Sequence, residues 1–288
     1  MGRVQDKVVV VTGAARGQGR SHSIKLAKEG ADIILFDSCY DDIETNKYQL
    51  DGSGQLEKVG LEVTKTGRRA YTAEVDVRDG AAVVRELSNA VVEFGGLDVV
   101  VINADICPLG AELGIQAFVD AFHLEFIGVI NTVQAALPHM QAGASIIVYG
   151  SSASLLRDPM SAGVDGPFGL GGAACSYAKQ MVNSYMLRLA TQLVPQSIRA
   201  NAVHRTIGSP ALQNSGPMCG EFRSEVDQSK RDGALEALPA LQATSIPYVD
   251  PEDVANVVCF LASDDSREIT GLQFLTGQRG FTSTLLNR

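Results

Sequence analysis

The chain predicts an α/β fold, a doubly wound parallel sheet forming a single domain over residues 1–288, and three observations carry that expectation. Apolar runs alternate with helix-permissive stretches along the whole length. The first apolar run, 8–11, leads directly into the glycine-rich turn Thr12-Gly13-Ala14-Ala15-Arg16-Gly17-Gln18-Gly19. A second apolar run, 33–36, closes on an acid, Asp37. Strand, glycine turn, helix and strand in that order form the β-α-β unit of a Rossmann-type sheet.

The elements follow in order. Residues 21–29 read as the first crossover helix, ended by Gly30. Further strands are expected at 70–75, 97–102, 145–149, 198–203 and 272–275, because each is a short apolar run bounded by turn formers. Helices are expected at 80–94, 116–140, 174–193 and 251–261. The last begins Pro251-Glu252-Asp253 behind Asp250, with proline at a first-turn position, acids near the positive end of the helix dipole and an aspartate as cap. Two polar, glycine-bearing stretches, 38–60 and 153–172, read as loop insertions at the carboxyl ends of strands, where a doubly wound sheet binds its ligands.

The glycine turn specifies chemistry as well as topology. Positive φ in the turn, close approach of backbone to a pyrophosphate and tight packing of helix on sheet each require a residue without a side chain. A carboxylate at the tip of the second strand accepts hydrogen bonds from an adenosine ribose and repels a 2′-phosphate. Gly13, Arg16, Gly17, Gln18, Gly19 and Asp37 therefore predict a nicotinamide-dinucleotide site, NAD rather than NADP.

Composition narrows the partners. A net charge of −9 argues against nucleic acid and against an anionic membrane surface. No apolar run approaches a membrane span, and the N-terminus lacks a signal pattern. The five cysteines are scattered without C-x-x-C spacing, which reads as reduced thiols in a cytoplasm. The four histidines are equally dispersed, so no metal site is expected.

With Thr12-Gly13-x-x-x-Gly17-x-Gly19, the chain resembles the short-chain dehydrogenase/reductase family over essentially its whole length. Asp76-Val77 resembles the family's adenine-contacting pair, and Asn103-Ala104, Ser151-Ser152, Lys179, the segment 197–201 and Ile269-Thr270-Gly271 continue the pattern. The turn variant and the insertion carrying Cys39 are similar to an actinobacterial subgroup that includes carveol-dehydrogenase-like, mycofactocin-associated enzymes. The resemblance implies NAD as cofactor, an alcohol or ketone as substrate, and a homo-oligomer, commonly a tetramer, built on helices 116–140 and 174–193. It also implies a serine that polarises the carbonyl, a tyrosine that exchanges the proton, a lysine that holds the ribose and tunes the tyrosine, and an asparagine in a proton relay.

Ser152 matches the serine, with Ser151 as the alternative register, and Lys179 matches the lysine. The tyrosine position, one helical turn before Lys179, holds Cys175. Tyr177 does not substitute, since residues two apart face different sides of a helix; a register that uses it puts Met181 at the lysine position. Other departures gather at the same pocket. Asp105 replaces a glycine, Glu125 stands at the relay asparagine, Arg205 follows His204 where proline is usual, and Gly277-Gln278-Arg279-Gly280 replaces the usual ending. Asp105 reads as an acid at a strand end, either solvated or pressing on the cofactor, and Glu125 and Arg205 read as surface charges near the cleft. Residues 163–168 and 210–222 are expected to line the substrate pocket. Two functions stay open: an NAD-dependent dehydrogenase with an altered acid, and a non-catalytic NAD-binding sensor or structural subunit.

Overall fold

The structure, a computed structural model, describes residues 2–39, 54–106, 108, 113–151, 169–205 and 249–276. Seven strands form one parallel sheet: β1 (Val8–Thr12), β2 (Asp32–Asp37), β3 (Ala70–Glu74), β4 (Leu97–Ile102), β5 (Met140–Ser151), β6 (Arg199–Arg205) and β7 (Gln273–Thr276). Their spatial order is β3-β2-β1-β4-β5-β6-β7. The chain builds outward from β1 in one direction and then restarts at β4 on its other side. The carboxyl ends of β1 and β4 thus flank the switch point where such sheets open a crevice.

Every residue of β1 and β2 is buried, the mark of central strands covered on both faces. Val8 and Val10 pack with α3 (Gly80–Phe94), α5 (Gly128–Ala136) and α6 (Gly169–Leu193). Val9 and Val11 pack with α1 (Gly17–Lys28), α2 (Gly54–Thr64) and α7 (Pro251–Ala262). Strand alternation divides one apolar run between two cores.

Five expectations need correction. Helix α1 starts at Gly17 rather than 21. Part of the stretch read as an insertion, 38–60, belongs to α2, whose Leu56, Val59, Gly60 and Val63 face the sheet; Gly60 is there for close packing, since a Cβ would meet Thr72 Cγ2 at 2.9 Å. The expected helix 116–140 is α4 (Ile115–Phe122), a π-helical turn at His123–Ile127 and α5, and Met140 already pairs with Leu97 in the sheet. Helix α6 begins at Gly169, inside the other expected insertion, because its glycine-rich first turn fits under Pro108: a Cβ on Gly171 would collide with the Pro108 carbonyl oxygen. Asp250 does occupy the N-cap of α7, but its side chain makes no capping bond. Asp79 caps α3 instead as a full acceptor, from the N–H groups of Ala81 and Ala82, both at 3.0 Å. Ser152, residues 163–168, 210–222 and 277–280 lie outside the described residues.

Candidate active site

The glycine turn has the geometry its sequence required. Gly13 and Gly17 sit at φ 66° and 52°, the left-handed region open to glycine. A Cβ on Gly19 would run into the Gly13 carbonyl oxygen, so α1 rises directly off the turn. The tip of β4 is fastened to it. Thr12 Oγ1 accepts from the backbone N–H groups of Asn103 (3.0 Å) and Ala104 (3.2 Å), and Asn103 Nδ2 donates to the carbonyls of Thr12 (3.1 Å) and Gly13 (3.2 Å).

Asp37 is buried beside this turn. Its Oδ2 accepts from Ala15 N at 3.0 Å and its Oδ1 from Cys39 N at 3.1 Å. Each oxygen keeps a lone pair for a further donor. Arg16 Nη1 and both amide atoms of Gln18 are buried with no hydrogen-bond partner among the described residues. Buried polar atoms are normally paired, so the turn presents donors and acceptors that a phosphate-bearing ligand would satisfy. Asp76 is engaged by Arg78, whose backbone N and Nε donate to it at 2.8 Å each. Val77 is buried against Gly128, where a Cβ would approach its Cγ2 to 2.6 Å.

Lys179, on α6, is the hub of the second half of the site. Its buried ammonium lies 3.3 Å from Asp105 Oδ1 and 3.8 Å from Glu125 Oε2, and it donates to the Tyr149 carbonyl at 3.4 Å. Burial alone would lower its pKa; the charges of Asp105, then Glu125 and Cys175, outweigh burial and raise it. Asp105 mirrors this. Burial pushes its pKa up, but Lys179, a hydrogen bond with Glu125 and the charge of Arg205 hold it below the ordinary carboxylate value. Water still reaches Asp105, whose side chain is 31 % exposed, whereas Glu125 is 1 % exposed.

The expectation that Glu125 is a surface charge is therefore wrong. The π-helical turn that interrupts the α4–α5 run carries it inward, and such turns recur at functional positions. Arg205 does not meet it as an ion pair in the described geometry; its guanidinium lies over the Tyr149 ring, 5.7 Å from the centroid, with Lys179 at 5.9 Å. Burial pushes the Tyr149 phenol up to about 12. His204 lies under Gly150, its Nδ1 3.1 Å from the Ser151 carbonyl, and burial pushes it down to about 4.

Cys175 Sγ donates to the Ile106 carbonyl at 3.3 Å. Tyr177 is 44 % exposed while Lys179 is buried, so the two occupy different sides of α6. Sequence reading missed Tyr149 as a member of the charged cluster. An aromatic in the middle of an apolar strand run reads as core, and only the packed structure brings two cations to 5.9 and 5.7 Å from its ring centroid.

A family model described as enoyl-(acyl carrier protein) reductase matches residues 13–278. The (−)-trans-carveol dehydrogenase of Rhodococcus erythropolis is 35% identical over 275 residues, covering 94% of this chain and 96% of that protein. The chain belongs to the short-chain dehydrogenase/reductase family. It is an oxidoreductase of that type. Among solved structures, the short chain dehydrogenase from Mycobacterium paratuberculosis bound to NAD superimposes with a TM-score of 0.82 at 29% identity, over 96% of this chain and 98% of that one. The carveol dehydrogenase from Mycobacterium avium in complex with NAD gives 0.80 at 32% identity, with the same coverage. Among the described residues, no helix of this family member is long and apolar enough to cross a membrane.

Proposed function

We propose that the chain binds NAD(H) across the carboxyl ends of β1, β2 and β4 and transfers hydride between the nicotinamide and a small-molecule alcohol or ketone. The observation that carries this reading is Asp37, held beside the glycine turn with lone pairs to spare. Gly13, Arg16, Gly17, Gln18 and Gly19 would hold the pyrophosphate, Asp37 the adenosine ribose, and Asp76 with Val77 the adenine. Asn103, Ala104 and Lys179 would hold the nicotinamide half. The orphaned atoms of Arg16 and Gln18 support that fit. So do two relatives whose structures contain NAD. Bound NAD supplies the hydride acceptor, and NADH the donor. Ser152 is assigned to polarise the substrate oxygen, and Cys175 stands at the tyrosine position.

A second reading, an NAD-binding sensor or structural subunit, is favoured by the Cys175 thiol, which is tied to a loop carbonyl. The two separate in a steady-state assay of NAD⁺ reduction by (−)-trans-carveol and a panel of secondary alcohols. Turnover supports the dehydrogenase; NADH binding without turnover of any member supports the second reading.

Assembly and location belong to the same proposal, with residues 1–288 acting as one unit. Ile115, Val119, Tyr177 and Met181 leave apolar surface on the packed pair α4 and α6, which supports a homotetramer through those helices. Among the described residues, Cys39, Cys175 and Cys259 form no disulfide, which supports a cytoplasmic protein.

A further inference from the structure

Asp105 follows β4, Glu125 sits in the π-helical turn, and Lys179 projects from α6, so three separate elements deliver one cation and two acids to one point. Both carboxylates reach the same ammonium, Asp105 at 3.3 Å and Glu125 at 3.8 Å. Two acids gathered at one largely enclosed point repel each other, which favours the state in which one of them carries a proton. Their surroundings divide the roles. Glu125 is enclosed, while Asp105 is open to water and holds the negative charge beside Lys179. The sulfur of Cys175 is directed at the Ile106 carbonyl, which leaves the proton-exchange role unfilled at that position.

We propose that Asp105 and Glu125 form a proton-sharing pair that carries the proton of the hydride-transfer reaction, Asp105 at the substrate oxygen and Glu125 as the enclosed store. This rests on the dehydrogenase reading above. In reduction, the carbonyl carbon gains the hydride and its electron pair, the C=O π bond breaks, and the oxygen takes a proton from Asp105. That proton has crossed from Glu125, which is left ionised 3.8 Å from Lys179 and regains a proton from water. In oxidation, Asp105 takes the alcohol proton and passes it to Glu125. The charged and titratable groups facing the pair are Lys179 and Cys175 on α6, Arg205 on β6 and Tyr149 on β5. His204 on β6 lies within the field of Lys179. Reduction therefore slows as pH rises and the pair loses its shared proton, while oxidation accelerates.

The test combines two readouts on the full chain. Infrared spectroscopy of wild type at neutral pH should show a protonated-carboxyl stretch that shifts in deuterium oxide and is lost in both Glu125→Gln and Asp105→Asn. Its absence from wild type, or its persistence in both variants, overturns the proposal. In NAD⁺ reduction by (−)-trans-carveol or another alcohol that wild type oxidises, Asp105→Asn should lower kcat about 10²-fold or more, with NADH binding no weaker and Asp105→Glu recovering part of the rate. Equal loss in the Asn and Glu variants, or an unchanged pH profile, marks a structural role and overturns it. A wild type that binds NADH yet oxidises no alcohol also overturns it. A wild type that binds no NADH sinks the cofactor reading instead, and the infrared result still decides whether the shared proton exists.

Discussion

Replacing Lys179 with methionine removes the cation that touches both Asp105 and Glu125 while keeping an unbranched chain of similar reach. Breaking a buried ion pair by deleting one partner costs about 3–5 kcal/mol. Asp105 is 31 % exposed, so water takes up part of the load and the lower end, about 3 kcal/mol, applies. The penalty depends on pH. In wild type, the lowered pKa of Asp105 contributes stability above its ordinary 3.8, lost only as pH falls through the lowered value. The raised pKa of Lys179 contributes below its ordinary 10.5, lost only as pH rises through the raised value. Between these limits the contribution of the Asp105–Lys179 pair is flat. In the variant the proton shared by the two acids is held without an opposing ammonium, which raises its folded-state pKa further above the unfolded value, so stability falls more steeply as pH rises. Urea unfolding of Lys179→Met followed by circular dichroism should show a loss of about 3 kcal/mol at pH 8 and clearly less at pH 5. A loss below about 1 kcal/mol at pH 8, or the same loss at both pH values, refutes the reading of the cluster as a buried charge network.

Three further outcomes follow from the same geometry. His22 is fully buried with neither ring nitrogen partnered among the described residues, and burial pushes it down to about 3, with His204 at about 4. Both are neutral in the fold yet charged when unfolded below their ordinary 6.5, so acid favours unfolding by about 2 kcal/mol per imidazole at pH 5. In urea titrations at pH 5 and 7.5, His22→Phe should remove about half of that pH dependence. Gly19→Ala drives a methyl into the Gly13 carbonyl oxygen, an overpacking cost of about 1–3 kcal/mol; its denaturation midpoint and its NADH affinity should fall together. Cys175→Tyr adds a phenol one turn from Lys179 beside the acid pair, and because Asp105 already exchanges the proton the gain in kcat for alcohol oxidation should stay below about 10²-fold; a larger gain with NADH binding unchanged would show that the pair does not fill that role.

The sheet and the glycine turn were legible because their causes are local. Four consecutive valines at 8–11 admit little but a buried strand, and the φ values of Gly13 and Gly17 are ones that side chains resist. The helix at Gly54–Thr64 was obscured by glycines 54 and 60, and the packing role of Gly60 emerges only against Thr72. The start of α6 was hidden the same way, since Gly171 is helical to fit Pro108 rather than by propensity. The acid cluster was least legible. Asp105, Glu125 and Lys179 lie far apart in sequence, and the inward turn of Glu125 depends on a π-helical register that hydrophobic periodicity does not encode.

The central claim is that this family member holds NAD(H), chosen over NADP(H) by Asp37. The direct test is a titration of the purified protein with NADH and with NADPH, following nicotinamide fluorescence in a chain that has no tryptophan. NADH should bind saturably and NADPH more weakly by about tenfold or more, since the buried Asp37 carboxylate repels the 2′-phosphate. Equal affinity for the two, or no saturable binding of NADH, would contradict it.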